Sequence, residues 1–421
     1  YSIKTMDFLI GGYMKAKKIA ALLLAASLAA TTFTGCAINK NATVATLNDE
    51  DISLGLVNFM IRYVQASSDD MYIQYMGEGY WNQSYGGNGT VLDTWKDNAI
   101  EQVHELYTLK DHMSDYNVEI SDNEQKKIDD AAKQFMDDNS DEAIDEMGAT
   151  EDIVKEYLKL RLIKSKMYAA IVANADSTVT DEEANMAAYT MIQIDYAGHY
   201  DSSYQYQAYS DEEKAQFKQQ ADLLAQTISN GASMEDAAQA VGLTTTTGTY
   251  ATYVDPSTAS DDSEDSTEST ESENTESSSP KKEDSVYTTN SIDSAVVDAL
   301  NSLEEGQTSD MITTDSSYYF VRLDSKTDSD ATESNRKTVK GNKDDKYYNG
   351  IISDWQDDEK WQVKEKQLNK IDIHNYFTTK TESTETESSQ TESTVSDDTE
   401  FVPVTETTEA VQATETTESE Q

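Results

Sequence analysis

Two stretches of this 421-residue chain are too polar to build a hydrophobic core. Residues 255–285 and 378–421 consist mostly of Ser, Thr, Glu and Asp. Such segments cannot bury enough apolar surface to offset the entropy lost on folding, so both are expected to be disordered. Because closure entropy grows only logarithmically with loop length, the first stretch can interrupt a domain without dividing it. The fold must therefore be assembled from the remaining residues.

The charge of the chain limits the partners that it can bind. It carries 80 acidic and 32 basic side chains, which gives a formal net charge of −48. Binding a nucleic acid needs a surplus of Lys and Arg, so we expect no nucleic-acid partner. A single cysteine cannot form an intrachain disulfide. The sequence has no nucleophile elbow, phosphate loop or Cys-x-x-Cys pair, and we expect neither a cofactor nor a metal.

Residues 14–35 have the layout of a secretory signal peptide. A basic head, Met14–Lys18, precedes an apolar, Ala-rich run over residues 19–30. That run is too short to span a bilayer, which needs roughly 20 residues. The sequence Phe33-Thr-Gly-Cys36 resembles a bacterial lipobox, which implies a diacylglycerol on Cys36 and attachment to the outer face of the cytoplasmic membrane.

The residues on either side of the signal peptide receive separate interpretations. Residues 36–45 are expected to form a lipid-anchored tether. Residues 1–13 are interpreted as read-through of an untranslated upstream sequence, because Gly11-Gly12 is what a ribosome-binding element would encode just before Met14.

Residues 46–185 have a mainly helical pattern. Capping boxes, which satisfy the free amides at a helix start, are predicted at Ser121–Glu124 and Thr180–Glu183, and a third at Ser210–Glu213. From Thr150 onward the apolar residues recur at close to helical spacing. His104 and His112 are eight residues apart, but they lack neighbouring ligands, so an ordinary helix surface is preferred over a zinc site.

Strand signals are concentrated in residues 186–325. Residues 189–196, 311–313 and 318–323 are β-prone, and a helix fits 211–229. The predicted order is a strand, two helices, the acidic insert, a helix and two strands, which makes an α+β module.

The sequence beyond this module is predicted to contain a linker and a helix. Residues 326–346 are polar and are interpreted as the linker. A long helix is predicted over Tyr347–Leu368, within a C-terminal segment, 347–377, that packs on the N-terminal region. Residues 378–421 form the Ser/Thr/Glu tail.

This organisation resembles that of the PrsA-type foldases, lipid-anchored relatives of the SurA chaperones. The family pattern Met, Phe, Leu-x-x-Gly, Ser and Gly-Tyr-His-Ile-Ile is matched here by Ile292, Val296, Leu303–Gly306, Ser309 and Ser317–Val321. The resemblance implies an α+β fold in which N-terminal helices and a returning C-terminal helix form a chaperone region. A parvulin-like prolyl isomerase module is inserted into it, with the acidic tracts disordered.

The resemblance also implies positions for a catalytic site. Parvulins are thought to use two histidines with a Cys or Asp, beside an apolar pocket for the proline ring. The histidine positions hold Tyr319 in the last strand and Thr190, or its neighbour Met191, in the first. Ile292 and Val296 take the positions of the proline pocket. With both histidines replaced, the sequence leaves prolyl isomerase activity open.

The resemblance implies unfolded or newly secreted proteins as partners. The residues proposed to line a client-binding groove are aromatic or Met side chains: Phe59, Met60, Tyr63, Tyr72, Tyr75 and Trp81. The same residues would equally serve as the core of a helical region. A competing hypothesis is a non-catalytic surface lipoprotein that acts as a wall spacer or adhesin.

Overall fold

The computed structural model describes residues 26–28, 38–85, 89–201, 205–253, 255 and 285–379. Residues 1–13, Cys36, nearly all of the acidic insert and residues 380–421 lie outside the described residues, as do the interpretations placed on them.

Helices provide most of the regular structure. They are α1 (Leu54–Met76), α2 (Val91–Asp111), α3 (Asp122–Asp138), α4 (Asp141–Met147), α5 (Glu151–Val172), α6 (Asp181–Ala184), α7 (Asp211–Ser229), α8 (Met234–Ala240), α9 (Ser294–Ser302), α10 (Ser329–Asp358) and α11 (Glu365–Leu368). Two short 3₁₀ helices cover Tyr80–Asn82 and Met113–Tyr116.

The strands form small antiparallel sheets. They are β1 (Ala26–Leu28), β2 (Thr43–Leu47), β3 (Glu50–Ser53), β4 (Met186–Asp195), β5 (Gly198–Tyr200), β6 (Tyr206–Ala208), β7 (Thr246–Ala251), β8 (Ile312–Thr313), β9 (Ser317–Ser325), β10 (Trp361–Val363) and β11 (Phe377–Thr379). The orders are β10-β2-β3 and β7-β4-β9-β8, with β1 paired to β11 and β5 to β6. The α+β fold expected from the sequence is confirmed.

Local capping signals place the helix starts correctly. The side chains of Ser121, Thr180 and Ser210 each accept a hydrogen bond from the backbone N–H three residues on. The glutamate side chain at that position accepts a hydrogen bond from the backbone N–H of the capping residue. Thr150 likewise caps α5. Each box satisfies two amides that the helix itself cannot, which is why these signals act without tertiary help.

A single core unites the N-terminal helices. The ring of Phe59 on α1 meets Phe135 of α3 at 5.6 Å and Tyr157 of α5 at 5.5 Å, both edge-on. Edge-to-face packing of this kind adds to the stabilisation from burial alone. The C-terminal segment completes this core, because Ile371, Ile373 and Phe377 are buried in the same cluster.

The C-terminal segment is held to α1 by a buried polar network. Arg62 pairs with Glu146 at 3.2 Å and donates to the carbonyl of Asp372. Asp69 accepts the backbone N–H of Phe377 at 2.7 Å. Burial outweighs these attractions and lowers the pKa of Arg62. Breaking one partner of such a network leaves a buried charge unpaired and is costly.

Two histidine–tryptophan stacks attach the same segment to α2. The ring of His104 lies 4.2 Å from that of Trp361, and His112 lies 4.0 Å from Trp355, both nearly parallel. Nε2 of His104 also lies 3.1 Å from a carboxylate oxygen of Glu359. Both histidines therefore pack against aromatic rings, and the described residues hold no group of three candidate metal ligands.

The segment interpreted as a linker is helical instead. Helix α10 runs from Ser329 to Asp358, so it covers most of 326–346 and ends ten residues before Leu368. Intrahelical ion pairs, such as Lys340–Asp344 at 2.7 Å, make a polar helix favourable in water. The chain after it, predicted as helix, forms β10, because Trp361 and Val363 pair with β2.

Three strands of the module, β5, β6 and β7, are absent from the predicted order. Strand β7 pairs with β4 from Thr246 to Ala251. Gly248 permits this pairing, because an added Cβ would stand 2.7 Å from the hydroxyl of Tyr189. Three threonines and one glycine carry little hydrophobic signal, so β7 depends on its neighbour β4.

Candidate functional site

One face of the module's sheet brings several of the predicted site residues together. The register pairs Gln193 with Tyr319 and Met191 with Val321, so these side chains share a face. Val296 on α9 and Ile292 just before it pack on that face, in the same apolar cluster as Tyr319 and Met191. The predicted proline pocket and one of the two predicted catalytic positions therefore meet.

Thr190 lies on the opposite face. Its backbone is paired with Arg322, and its hydroxyl donates to Asp324 at 2.6 Å and accepts from the guanidinium of Arg322 at 3.1 Å. Arg322 continues to Glu235 of α8 at 3.0 Å. Alternation along a strand sends neighbouring side chains to opposite faces. Thr190 thus connects the sheet to α8, and Met191 is the first-strand side chain that faces the site.

The site face is filled by tyrosine rings. Val296 is fully buried, Tyr250 is 2% exposed and Tyr319 is 8% exposed. Tyr189 and Tyr250 meet edge-on at 6.1 Å, and the hydroxyl of Tyr250 donates to Asn301 at 3.1 Å. Burial raises the pKa of both Tyr189 and Tyr250. Val296 is therefore enclosed in an apolar cluster that includes Tyr250 and Tyr319 and has no exposed surface for a proline ring.

The described side chains of this face offer little acid–base chemistry. They are mostly Tyr, Met, Val, Leu, Ile and Ala, and the polar ones are Gln193, Asp195, Ser317 and Thr246. The side chain of Gln193 donates to the carboxylate of Asp195 at 2.6 Å, and the hydroxyl of Ser317 donates to the same oxygen at 2.5 Å. The histidines lie elsewhere: His104, His112 and His374 lie with the N-terminal helices and the C-terminal segment, and His199 is on β5, beyond the end of β4. Among the described residues this face therefore carries one carboxylate near Tyr319 but no histidine, the side chain whose ordinary pKa is closest to neutral pH.

A second feature of the module was not foreseen from the sequence. A cleft of about 360 Å³ lies where β4 begins and β9 ends, beneath the C-terminal end of α9. Asn185 closes one side by donating to Thr252 at 2.9 Å and to the carbonyl of Lys326 at 3.0 Å. This polar cleft is at the other end of the sheet from Gln193 and Tyr319.

Some of the residues predicted to line a client groove are buried in the core, and others lie at the surface. Phe59, Met60 and Trp81 are buried in the helical core, which corrects their assignment to a groove. Phe59 packs on Phe135 of α3 and Tyr157 of α5, and Trp81, on the 3₁₀ helix that follows α1, donates to the carbonyl of Ile373 at 3.0 Å. Tyr63 and Tyr72 are half-buried against the same core.

Tyr75 is the exposed member of that set. It is 79% exposed at the end of α1 and stands with three further exposed apolar side chains, Met71, Met76 and Tyr85. Gln83 donates to the carbonyl of Met76 at 2.9 Å, which holds the following turn against the helix end. We call Met71, Tyr75, Met76 and Tyr85 the helix-end patch.

Comparison with known proteins identifies the module. Residues 179–335 match the model of the PPIC-type PPIase domain family. The matched range contains the whole site face and both sides of the acidic insert. The chain therefore carries a PPIC-type PPIase domain, which confirms the parvulin-like module inferred from the sequence.

Solved structures with similar folds include foldases and chaperones. The foldase PrsA of Streptococcus pneumoniae is 15% identical, over 66% of this chain and 93% of that one, with a TM-score of 0.23. PrsA of Bacillus cereus is 16% identical, over 69% and 96%, with a TM-score of 0.29. The Campylobacter jejuni SurA-like chaperone match is 9% identical, over 77% and 99%, with a TM-score of 0.24. At TM-scores this low, the domain match carries the assignment.

Two further findings concern curated proteins and membrane-spanning helices. Among curated proteins no sequence matches the chain. Within the described ranges, no helix combines the length and the apolar character that crossing a membrane requires.

Proposed function

We propose that this protein is an extracytoplasmic foldase that acts chiefly as a chaperone, binding unfolded or newly secreted proteins. The observation that carries this proposal is a PPIC-type domain in which Val296, at a position of the expected proline pocket, is fully buried in one apolar cluster with Tyr250 and Tyr319. The domain type supports a role on protein substrates. The filled pocket supports binding at surfaces other than a catalytic centre.

Energetics argue against efficient isomerisation. Rotation about a peptide bond crosses a barrier of roughly 18–20 kcal/mol, and an enzyme lowers a barrier with polar groups aimed at the distorted bond. Most described side chains near Tyr319 and Met191 are apolar, apart from Gln193 opposite Tyr319 and Asp195 beyond it, and a phenol stands where the family has histidine. We infer that prolyl isomerase activity is weak or absent.

The helix-end patch is our candidate for client binding. Four exposed apolar side chains, two of them methionines, form an adaptable surface that suits unrelated hydrophobic segments. Contacts with Met side chains do not require one fixed partner shape. The patch replaces the groove expected from Phe59, Met60 and Trp81.

We further propose that the protein is anchored through a lipid on Cys36 at the outer face of the cytoplasmic membrane. The support is the signal-like run over 14–35 and the lipobox-like ending at Cys36. A diacylglycerol supplies two chains, enough for stable anchoring, whereas one chain binds only marginally. Replacing Cys36→Ala should release the protein from washed membranes, and retention of the variant would contradict the anchor.

Two assays on the same full-length protein test the central proposal. Suppression of aggregation of a reduced, unfolded client should be clear at near-equimolar protein. Refolding of a substrate limited by a trans-to-cis prolyl step should be accelerated little. The matched variants are Tyr75→Ala, which removes the most exposed ring of the helix-end patch, and Tyr319→Phe, which removes only a hydroxyl.

The outcomes separate the two functions. A chaperone working through the patch loses suppression in Tyr75→Ala and keeps it in Tyr319→Phe. Strong catalysis of prolyl-limited refolding that Tyr319→Phe abolishes would instead establish an enzyme and refute the filled-pocket argument. No suppression of aggregation by the unmodified protein would refute the chaperone function.

A further inference from the structure

A small hairpin at one end of the module displays two exposed aromatic rings. Strands β5 and β6 pair Gly198 with Ala208 and Tyr200 with Tyr206. Tyr200 is 70% exposed and Tyr206 is 52% exposed, and their rings meet edge-on at 5.5 Å. Exposed apolar side chains that lie side by side mark sites where proteins bind partners.

The hairpin is fixed to the module by stacked rings. Tyr209 stacks on His199 at 5.1 Å and packs against Phe217 of α7 at 4.8 Å. At its base, Tyr196 stacks on Tyr318 of β9 at 4.6 Å. These contacts hold the exposed pair in a fixed place relative to the sheet, so little ordering entropy is lost when a partner binds.

Gly198 allows the exposed pair to form. An added Cβ at this position would stand 2.4 Å from the carbonyl oxygen of Gln207 and 2.7 Å from the ring of Tyr206. The ring of Tyr206 therefore lies directly over Gly198. A side chain there would push the ring away from its place beside Tyr200.

The electrostatics of the hairpin favour a cation. From Asp195 to Glu213 the sequence contains no Lys or Arg. The carboxylate of Asp201 lies at the turn, where it accepts from the backbone of Gln205 at 2.9 Å and from the side chain of Gln207 at 3.2 Å. Glu213, beside His199, adds a second negative charge, and its pKa is lowered mainly by hydrogen bonds from Ser210.

The hairpin also lies close to the site face. It follows directly from β4, whose last residues pair with the start of β9, Ile194 with Tyr318 and Asp195 with Ser317. Gln193, on the same strand, is opposite Tyr319. A polypeptide lying along this end of the sheet would therefore contact both the hairpin and the edge of the site face.

We propose that Tyr200 and Tyr206, with the carboxylate of Asp201, form a docking surface for extended client segments that carry Lys or Arg. The proposal rests on the chaperone function and names the class of segment that the module selects. Cationic side chains lie over tyrosine faces, where the ring quadrupole attracts them. The surrounding negative charge draws basic segments in and repels acidic ones.

Peptide binding by the full-length protein tests this proposal. The probes are two fluorescein-labelled, unstructured peptides with the same aliphatic residues, one with four Lys or Arg and the other with four Glu in their place. Anisotropy titrations should show tighter binding of the basic peptide. Raising the salt concentration should weaken that binding, because exposed charges are screened.

Three variants locate the interaction. The double variant Tyr200→Ala/Tyr206→Ala should bind the basic peptide about five- to thirty-fold more weakly, the sum expected for two exposed cation–π contacts. Tyr200→Phe/Tyr206→Phe keeps both rings and should stay within about twofold of the unmodified protein. Leu223→Ala, which removes an exposed apolar side chain from α7, is the matched control and should have no effect.

The results distinguish this proposal from the chaperone function. If the unmodified protein suppresses client aggregation but binds both peptides equally, the docking proposal fails and the function stands. Unchanged binding of the basic peptide by the double Ala variant has the same meaning. If neither peptide binds and aggregation is not suppressed, the chaperone function itself is refuted.

Discussion

The buried carboxyl of Asp69 should make the stability of the N-terminal helical core depend on pH in an unusual direction. Asp69 accepts hydrogen bonds from Phe377 N–H at 2.7 Å, Gln65 Nε2 at 2.9 Å and the hydroxyl of Tyr80 at 3.2 Å. Despite these bonds, burial raises its pKa from 3.8 to about 6. The folded protein therefore binds a proton more tightly than the unfolded chain.

The sign and size follow from proton linkage. Because the folded pKa is the higher one, this group's stabilisation is fully present below pH 3.8 and is lost as the pH rises through about 6. Between pH 8 and pH 5 the folded carboxyl becomes about nine-tenths protonated and the unfolded one hardly at all, which is worth about 1.4 kcal/mol. Carboxyl groups whose pKa is lowered in the folded protein, such as those of Glu124 and Glu183, act in the opposite direction.

The substitution Asp69→Asn isolates this contribution. Its Oδ1 can accept from Phe377 and Gln65, and its Nδ2 can donate to Tyr80 after the phenol hydrogen turns. The variant thus resembles the protonated acid at every pH. Its stability relative to the unmodified protein should be highest at pH 8 and fall by about 1.4 kcal/mol at pH 5.

Urea unfolding followed by tryptophan fluorescence measures the difference, because Trp81 donates to the carbonyl of Ile373 close to this network. The control is Asp70→Asn, which makes the same charge change at the exposed neighbouring carboxyl. If the advantage of Asp69→Asn is equal at pH 5 and pH 8, the argument from burial is refuted.

Three further predictions follow from local geometry. Gly148→Ala should destabilise the fold by about 1–2 kcal/mol in urea, since Gly148 has φ +65° and an added Cβ would stand 2.8 Å from Nδ2 of Asn58; an unchanged midpoint would contradict this. Trp361→Ala removes the stack on His104 and should speed amide exchange in β2 and β10 about tenfold, with β4 and β9 as the internal reference. Hydrogen bonds from Tyr287, Thr180 and Lys343 lower the pKa of Glu183 to about 2, so the stabilisation from its carboxylate is lost as the pH falls from 4.5 to about 2. Glu183→Gln should therefore lose less unfolding free energy over this pH range than the unmodified protein. A steeper loss in the variant would show the sign to be wrong.

Local signals determined a large part of this fold. The helix start at Ser121, the bounds of α7 and the strands β4, β8 and β9 were readable because capping and hydrophobic periodicity act within a few residues. The family match at Ile292, Val296 and Leu303–Gly306 likewise depended only on residue order. These features need no knowledge of what the chain packs against.

Tertiary structure decided what the sequence left open. Shifting an alignment by one residue moves a strand side chain to the other face of the sheet. Only the pairing of β4 with β9 shows that Met191 shares the face of Tyr319 and that Thr190 lies on the opposite face. The aromatic side chains of α1 look alike in sequence, yet Phe59 is buried and Tyr75 is exposed, because α3 and α5 cover only the first part of that helix. Burial is a property of the neighbours that a side chain meets, and a linear sequence does not record them.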